Sequence, residues 1–270
     1  MKIRFTILLF VLFSSVASFC QTDSIFHFRR NYTGPIINFS VDNLGNVYLL
    51  FQNGQLKKLT PDGDSAAVFN NVRKYGKLYS IDVTNPLKVL LYYRDFGTVV
   101  TLDRFLNVRS TLDLRTQNSL QVKAIGQSYD NNIWIFDEIE SKLKKIADDG
   151  HLLDQSNDFR QIFDSTPSPN KIIDQNKTVY LYDPAKGVYE FDYYSAFKSR
   201  IPFLGWTDFN VVNDAIVGRD KTFLYRYNAG SLQLQQFPVP AFMNEAEKIV
   251  IAPGMVYLLK DGAIMVYSYK

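Results

Sequence analysis

The sequence predicts an all-β fold: a six-bladed β-propeller of four-stranded antiparallel blades, closed by an N-terminal strand that completes the last blade. Three observations predict it. A unit of roughly 40 residues recurs along the chain. Each copy reads as strands and tight turns, with no helical stripe. The last copy is one strand short, and a spare strand precedes the first.

The first copy shows the grammar. Asn38-Phe39-Ser40-Val41-Asp42 reads as a strand, Asn43-Leu44-Gly45-Asn46 as a turn, and Val47-Tyr48-Leu49-Leu50-Phe51 as a second strand. Gln52-Asn53-Gly54 turns the chain again, since Asn-Gly between apolar runs supplies the positive φ a tight hairpin needs. A third strand, Gln55 to Thr60, ends at Pro61-Asp62-Gly63. The third copy repeats this: Ala124 to Ser128, Asp130-Asn131-Asn132, Ile133-Trp134-Ile135-Phe136-Asp137, then Leu143-Lys144-Lys145-Ile146 before Asp148-Asp149-Gly150. Leu56-Lys57-Lys58-Leu59 and Leu143-Lys144-Lys145-Ile146 are the clearest internal echo.

The central triplets begin at 47, 89, 133, 179, 215 and 256, at intervals of 42, 44, 46, 36 and 41 residues. That is the length of one four-stranded blade. Five blades with an insert, or seven with one unrecognised copy, are the competing counts. The last segment, Lys248 to Tyr269, supplies three strands, and the alternating run Ser24 to Arg29 is the expected fourth. Such closure removes an edge that would otherwise pair with other chains.

Residues 1–20 read as a signal peptide. Lys2 and Arg4 precede the apolar run Phe5 to Val16, and small residues follow at Ala17 and Ser18. Residues 21–270 are then one propeller domain. Phe19 disfavours lipoprotein processing, so cleavage after Cys20 is expected and a lipid anchor on Cys20 is the alternative. Cys20 is the single cysteine, which excludes an internal disulfide. No later stretch reaches membrane-spanning length. The expected location is the periplasm, the outer membrane or outside the cell.

The chain carries 30 basic and 27 acidic residues, and without Lys2 and Arg4 the balance is 28 to 27. Nothing in that balance attracts a phosphate backbone, so a nucleic-acid partner is not expected.

Val41-Asp42-Asn43-Leu44-Gly45-Asn46-Val47-Tyr48 and Asp130 to Asp137 resemble the repeat of NHL-type propellers, with Asp62-Gly63 and Asp149-Gly150 at its closing turn. The resemblance covers two blades closely and implies six blades. It implies no single chemistry, because relatives include lyases, lactonases, receptor modules and scaffolds. Asp23-Ser24-Ile25, Asp64-Ser65-Ala66 and Asp164-Ser165-Thr166 look like the O-glycosylation acceptor of exported proteins in Bacteroidetes-type bacteria.

Residues that could carry chemistry are sparse. His27 and His151 stand apart, too few for a zinc or copper site. No Gly-x-Ser-x-Gly and no glycine-rich phosphate loop is present. Lactonases resembling this architecture gather oxygen ligands for calcium at one mouth. Asp42, Asn85, Asp130, Asp174 and Asn213 hold comparable places near the end of a first strand, although Asp and Asn are also the default turn residues. The densest aromatic stretch, Tyr189 to Phe209, includes Tyr193, Tyr194, Phe197 and Trp206, a partner surface or packing between the fourth and fifth blades. The expected function is a non-enzymatic binding or assembly module of the bacterial cell envelope, with a protein partner and no cofactor. A calcium-dependent lactonase-like hydrolase or lyase is the alternative, and a carbohydrate-binding propeller the second.

Overall fold

The computed structural model describes residues 25–70, 72–117 and 119–269; the expected signal peptide and Cys20 lie outside them. The first strand, β1 (Phe26–Tyr32), is followed by five complete blades. Blade one is β2 (Ile36–Val41), β3 (Val47–Phe51), β4 (Leu56–Leu59) and β5 (Ser65–Phe69). Blade two is β6 (Ser80–Asn85), β7 (Lys88–Tyr93), β8 (Thr98–Leu102) and β9 (Val108–Asp113). Blade three is β10 (Val122–Gln127), β11 (Ile133–Asp137), β12 (Lys142–Ile146) and β13 (Leu152–Gln155). Blade four is β14 (Lys171–Gln175), β15 (Thr178–Asp183), β16 (Gly187–Phe191) and β17 (Phe197–Ile201). Blade five is β18 (Thr207–Val212), β19 (Ala215–Arg219), β20 (Phe223–Asn228) and β21 (Gln233–Pro238). Blade six is β22 (Lys248–Ala252), β23 (Met255–Lys260) and β24 (Ala263–Tyr269), with β1 as its outer strand.

The chain is therefore a six-bladed β-propeller, every blade an antiparallel sheet of four. β1 pairs with β24 from Phe26↔Tyr269 to Tyr32↔Ile264, with a bulge between Phe28 and Arg30. The closing strand lies two residues later than the alternation of Ser24 to Arg29 suggests, and it runs on to Tyr32.

The central triplets are the second strands, and burial explains their composition. A second strand has sheet on both sides and a neighbouring blade on each face. All six residues of β7 and of β15 are buried, so these strands cannot alternate polar and apolar. Fully burying each large apolar side chain contributes about 1.5–3 kcal/mol. Tyr182, Trp206, Phe209 and Ile216 form one such layer, between blades four and five.

The Lys-Lys echo also has a physical cause. Lys58 lies opposite Tyr48 across β3 and β4, and Lys145 lies opposite Trp134 across β11 and β12. In both blades the ammonium sits 5.3 Å from the ring centroid, a cation–π pair at equivalent positions.

Candidate functional site

Antiparallel order sends the turns after the first and third strands of every blade to one face, here the hairpin face. The second-to-third turns and the connections between blades go to the other, the crossover face. The first described strand begins, and β24 ends, at the hairpin face.

On that face the turn after β10 presents Tyr129 and the turn after β16 presents Tyr193 and Tyr194. Tyr129 and Tyr193 stack across the boundary of blades three and four, with centroids 4.0 Å apart and planes 18° apart. Tyr194 beside them is 84% exposed and Tyr129 58%.

These rings are held from below. The Tyr129 amide donates to Asp174 Oδ2 at 3.2 Å, and Lys145 Nζ sits 5.7 Å from the Tyr129 ring. The Tyr194 and Ala196 amides both donate to Asp192 Oδ1 at 2.9 Å, and Ser195 Oγ donates to Asp154 Oδ2 at 2.8 Å. Burial and the negative charge of Asp174 push the Tyr193 phenol up, so the hydroxyl stays protonated at neutral pH. The result is an aromatic platform whose turns are tied to Asp154, Asp174 and Asp192.

The other two aromatics point inward. Phe197 packs edge-on against Phe163 at 4.9 Å, in the layer between blades three and four. Trp206 is buried between Phe203 and Tyr225, stacked at 4.2 and 4.7 Å, between blades four and five. The aromatic stretch thus divides between two blade boundaries and one exposed turn.

Each of the five oxygen-bearing candidates is engaged by partners within the protein. Asp42 closes its own turn, accepting from Leu44 N and Asn46 N and from the Tyr48 hydroxyl at 3.1 Å. Asn85 donates from Nδ2 to Asn131 Oδ1 at 2.8 Å and accepts from Leu87 N at 2.9 Å. Asp130 pairs with Lys145 at 3.1 Å. Asn213 offers its backbone carbonyl to Gln175 and Asn176 of blade four. Asp174 is buried and accepts Trp134 Nε1 at 2.8 Å. Among the described residues no three His, Cys, Asp or Glu side chains gather as a metal set.

Two shallow clefts lie elsewhere. One of about 340 Å³ on the crossover face includes Arg94, Gln121, Lys123 and Glu138. The other, about 300 Å³, lies between blades six and one and includes Arg30, Tyr32 and Tyr257.

Sequence reading missed Tyr129, because its turn is an ordinary one and the stack is made by a neighbouring blade. It also missed a group of charges near the axis, Asp82, Lys171, Asp208 and Lys248.

No protein-family model matches the chain, and no curated protein matches it. Solved structures of propellers do. Virginiamycin B lyase from Staphylococcus aureus, solved with quinupristin, is 15% identical with a TM-score of 0.59, covering 90% of this chain and 88% of that one. The WD40 domain of Neurospora crassa Pan2 is 11% identical with a TM-score of 0.60, covering 90% of this chain and 95% of that one. The extracellular domain of a one-component system protein from B. thetaiotaomicron is 13% identical with a TM-score of 0.55, covering 87% of this chain and 33% of that one. At these identities the likeness shows the fold alone.

Proposed function

We propose that this chain is a binding module of the bacterial cell envelope, exported by the leader at residues 1–20, which docks a protein partner through Tyr129, Tyr193 and Tyr194 on the hairpin face. The observation that carries this reading is the stacked pair of Tyr129 and Tyr193 with the open ring of Tyr194 beside it. Rigid tyrosines lose little rotamer entropy on binding and combine apolar area with a hydroxyl, which makes them frequent anchors of interfaces. Asp174 and Asp192 fix the turns before any partner arrives, lowering the cost of ordering them.

A photo-crosslinking amino acid placed at position 194 of the full chain, in its native cells, tests this. A discrete protein adduct is expected from position 194 and not from Leu204 on the crossover face, and Tyr129→Ala is expected to weaken it. Equal adducts from both positions, or none, would remove the reading; an adduct sensitive only to glycosidase would favour a carbohydrate ligand. Mass measurement of the purified protein checks export, with Gln21 expected as its first residue and a lipidated Cys20 as the competing outcome.

A further inference from the structure

The innermost strand of a blade has one edge without a partner strand, so its N–H and C=O groups on that side face the axis and need side chains or water. Lys171 opens β14 and Lys248 opens β22, both innermost strands, at the crossover end. Lys248 Nζ donates to Phe39 O at 2.7 Å and Asn38 Oδ1 at 2.8 Å, crossing from blade six to blade one. Lys171 Nζ donates to Phe209 O at 2.6 Å, crossing from blade four to blade five. Lys171 remains open to solvent although it sits on an innermost strand. As a residue of an innermost strand it borders the central channel that the blades of a propeller surround.

The opposite wall of this site is built by a distortion. The register of β18 against β19 breaks between Thr207 and Asn210, and Asp208 within the break has φ +54°. The other non-glycine residues with left-handed backbone, among those described, lie in turns. A left-handed Asp inside a strand costs about 1–3 kcal/mol, a feature that clusters at functional sites. It delivers the Asp208 carboxylate to Arg219 Nε at 2.6 Å and leaves Phe209 O for Lys171. Buried Arg219 also donates to Ala246 O at 2.7 Å.

The ionic inventory does not balance. Burial lowers Lys171, and the carboxylates of Asp208 and Asp82 oppose the shift. Burial, and after it the charge of Lys171, lower Lys248 against the pull of Asp208 to about 8. Asp208 is already bound to Arg219, and Asp82 accepts the amides of Thr84 and Gln127 at 2.9 and 2.8 Å. Three basic side chains therefore face two occupied carboxylates. Each ammonium has three N–H donors, of which Lys171 uses one and Lys248 two within the protein. Donors are in excess, and the acceptors are taken.

We propose that this axial channel binds a small oxyanion between Lys171 and Lys248, a singly charged carboxylate in preference to a doubly charged phosphate. Asp82 and Asp208 set the preference, because their carboxylates oppose a second negative charge. The site lies at the other end of the ring from the tyrosine platform and does not depend on it.

Titration calorimetry of the full chain with acetate, inorganic phosphate and chloride near pH 7 tests this. One saturable acetate site is expected, weakened at least tenfold in Lys248→Met and in Lys171→Met. Lys248→Arg should keep most of the binding, and Lys123→Met, outside the cluster, all of it. If a Met variant fails to fold, the Nζ resonance of Lys248 in the unaltered protein is read instead, and acetate should raise its titration midpoint. No saturable acetate binding, binding unchanged in Lys248→Met, or chloride binding as tightly as acetate would each overturn the proposal.

Discussion

The indole N–H of Trp134 donates to Asp174 Oδ2 at 2.8 Å, joining the most buried ring of blade three to the innermost strand of blade four. The same oxygen accepts the Ser128 hydroxyl and the Tyr129 amide, each at 3.2 Å. One carboxylate thus holds the core tryptophan and the base of the exposed tyrosine stack.

Asp174→Leu should cost about 2–4 kcal/mol, because it strands several buried donors at once. Asp174→Asn retains an acceptor and should cost about half as much or less. Burial pushes the Asp174 carboxyl up, so neutralising it relieves a penalty present at pH 7. Urea denaturation of both variants decides; equal losses would show that the indole bond carries no weight.

Lys248 predicts a pH dependence of definite sign. It faces Lys171 of β14, Asp208 of β18 with its partner Arg219 of β19, and Asn38 of β2. Its folded value, about 8, lies below that of a free lysine, so the unfolded chain holds more protons between the two. Stability should therefore rise relative to Lys248→Met as pH climbs from 7.5 to about 9.5, by roughly 1–2 kcal/mol. Buried tyrosines such as Tyr182, pushed up to about 12, lower the stability of both proteins at higher pH, when tyrosines of the unfolded chain ionise first, and so cancel in the difference. A difference that stays flat across the interval would contradict this.

Gly218 lies in β19, where an added Cβ would come within 2.6 Å of Trp206 Cε3. Gly218→Ala should destabilise by about 1–3 kcal/mol through overpacking. Combining it with Trp206→Leu should recover part of the loss of the first change. A double-mutant cycle in urea measures this, and additivity of the two losses would rule out the clash as cause.

Deleting residues 1–32 removes β1 and uncovers the edge of β24, including the buried Ile264 and Val266. The shortened protein should self-associate in light scattering, and a synthetic peptide of residues 25–33 should return it to monomer. A monomeric, equally stable deletion product would show that closure is dispensable.

The fold was legible because each blade repeats one burial problem. The second strands begin at 47, 88, 133, 178, 215 and 255, within one residue of the apolar triplets read from the sequence. Local chemistry was legible too: Asp42 and Asp130 are turn residues with bonds that turn chemistry supplies. What could not be read was whatever the ring itself brings together. Trp206 and Tyr194 look alike in a run of aromatics, but one falls just before β18 in the layer between two blades and the other at a hairpin apex. Lys171 and Lys248 have no local pattern, since only closure sets them around a common axis. The bulge at Asp208 lacks the glycine that usually announces positive φ.

The pairing of β1 with β24 also sets an order in time. β1 leaves the ribosome before any other described strand, yet its partner β24 is the last of the described strands to be made. At about 5–20 residues per second, β1 waits roughly 12–50 s before β24 exists. Through that interval Phe26, Phe28 and Tyr32 have no native partner strand, and a half-made chain offers them the edges of other half-made chains. If the leader carries the chain through a membrane, closure must also wait until both ends stand on the same side. The seam that completes the ring is therefore the step at which a crowded cell gains most from a chaperone holding the first strand apart.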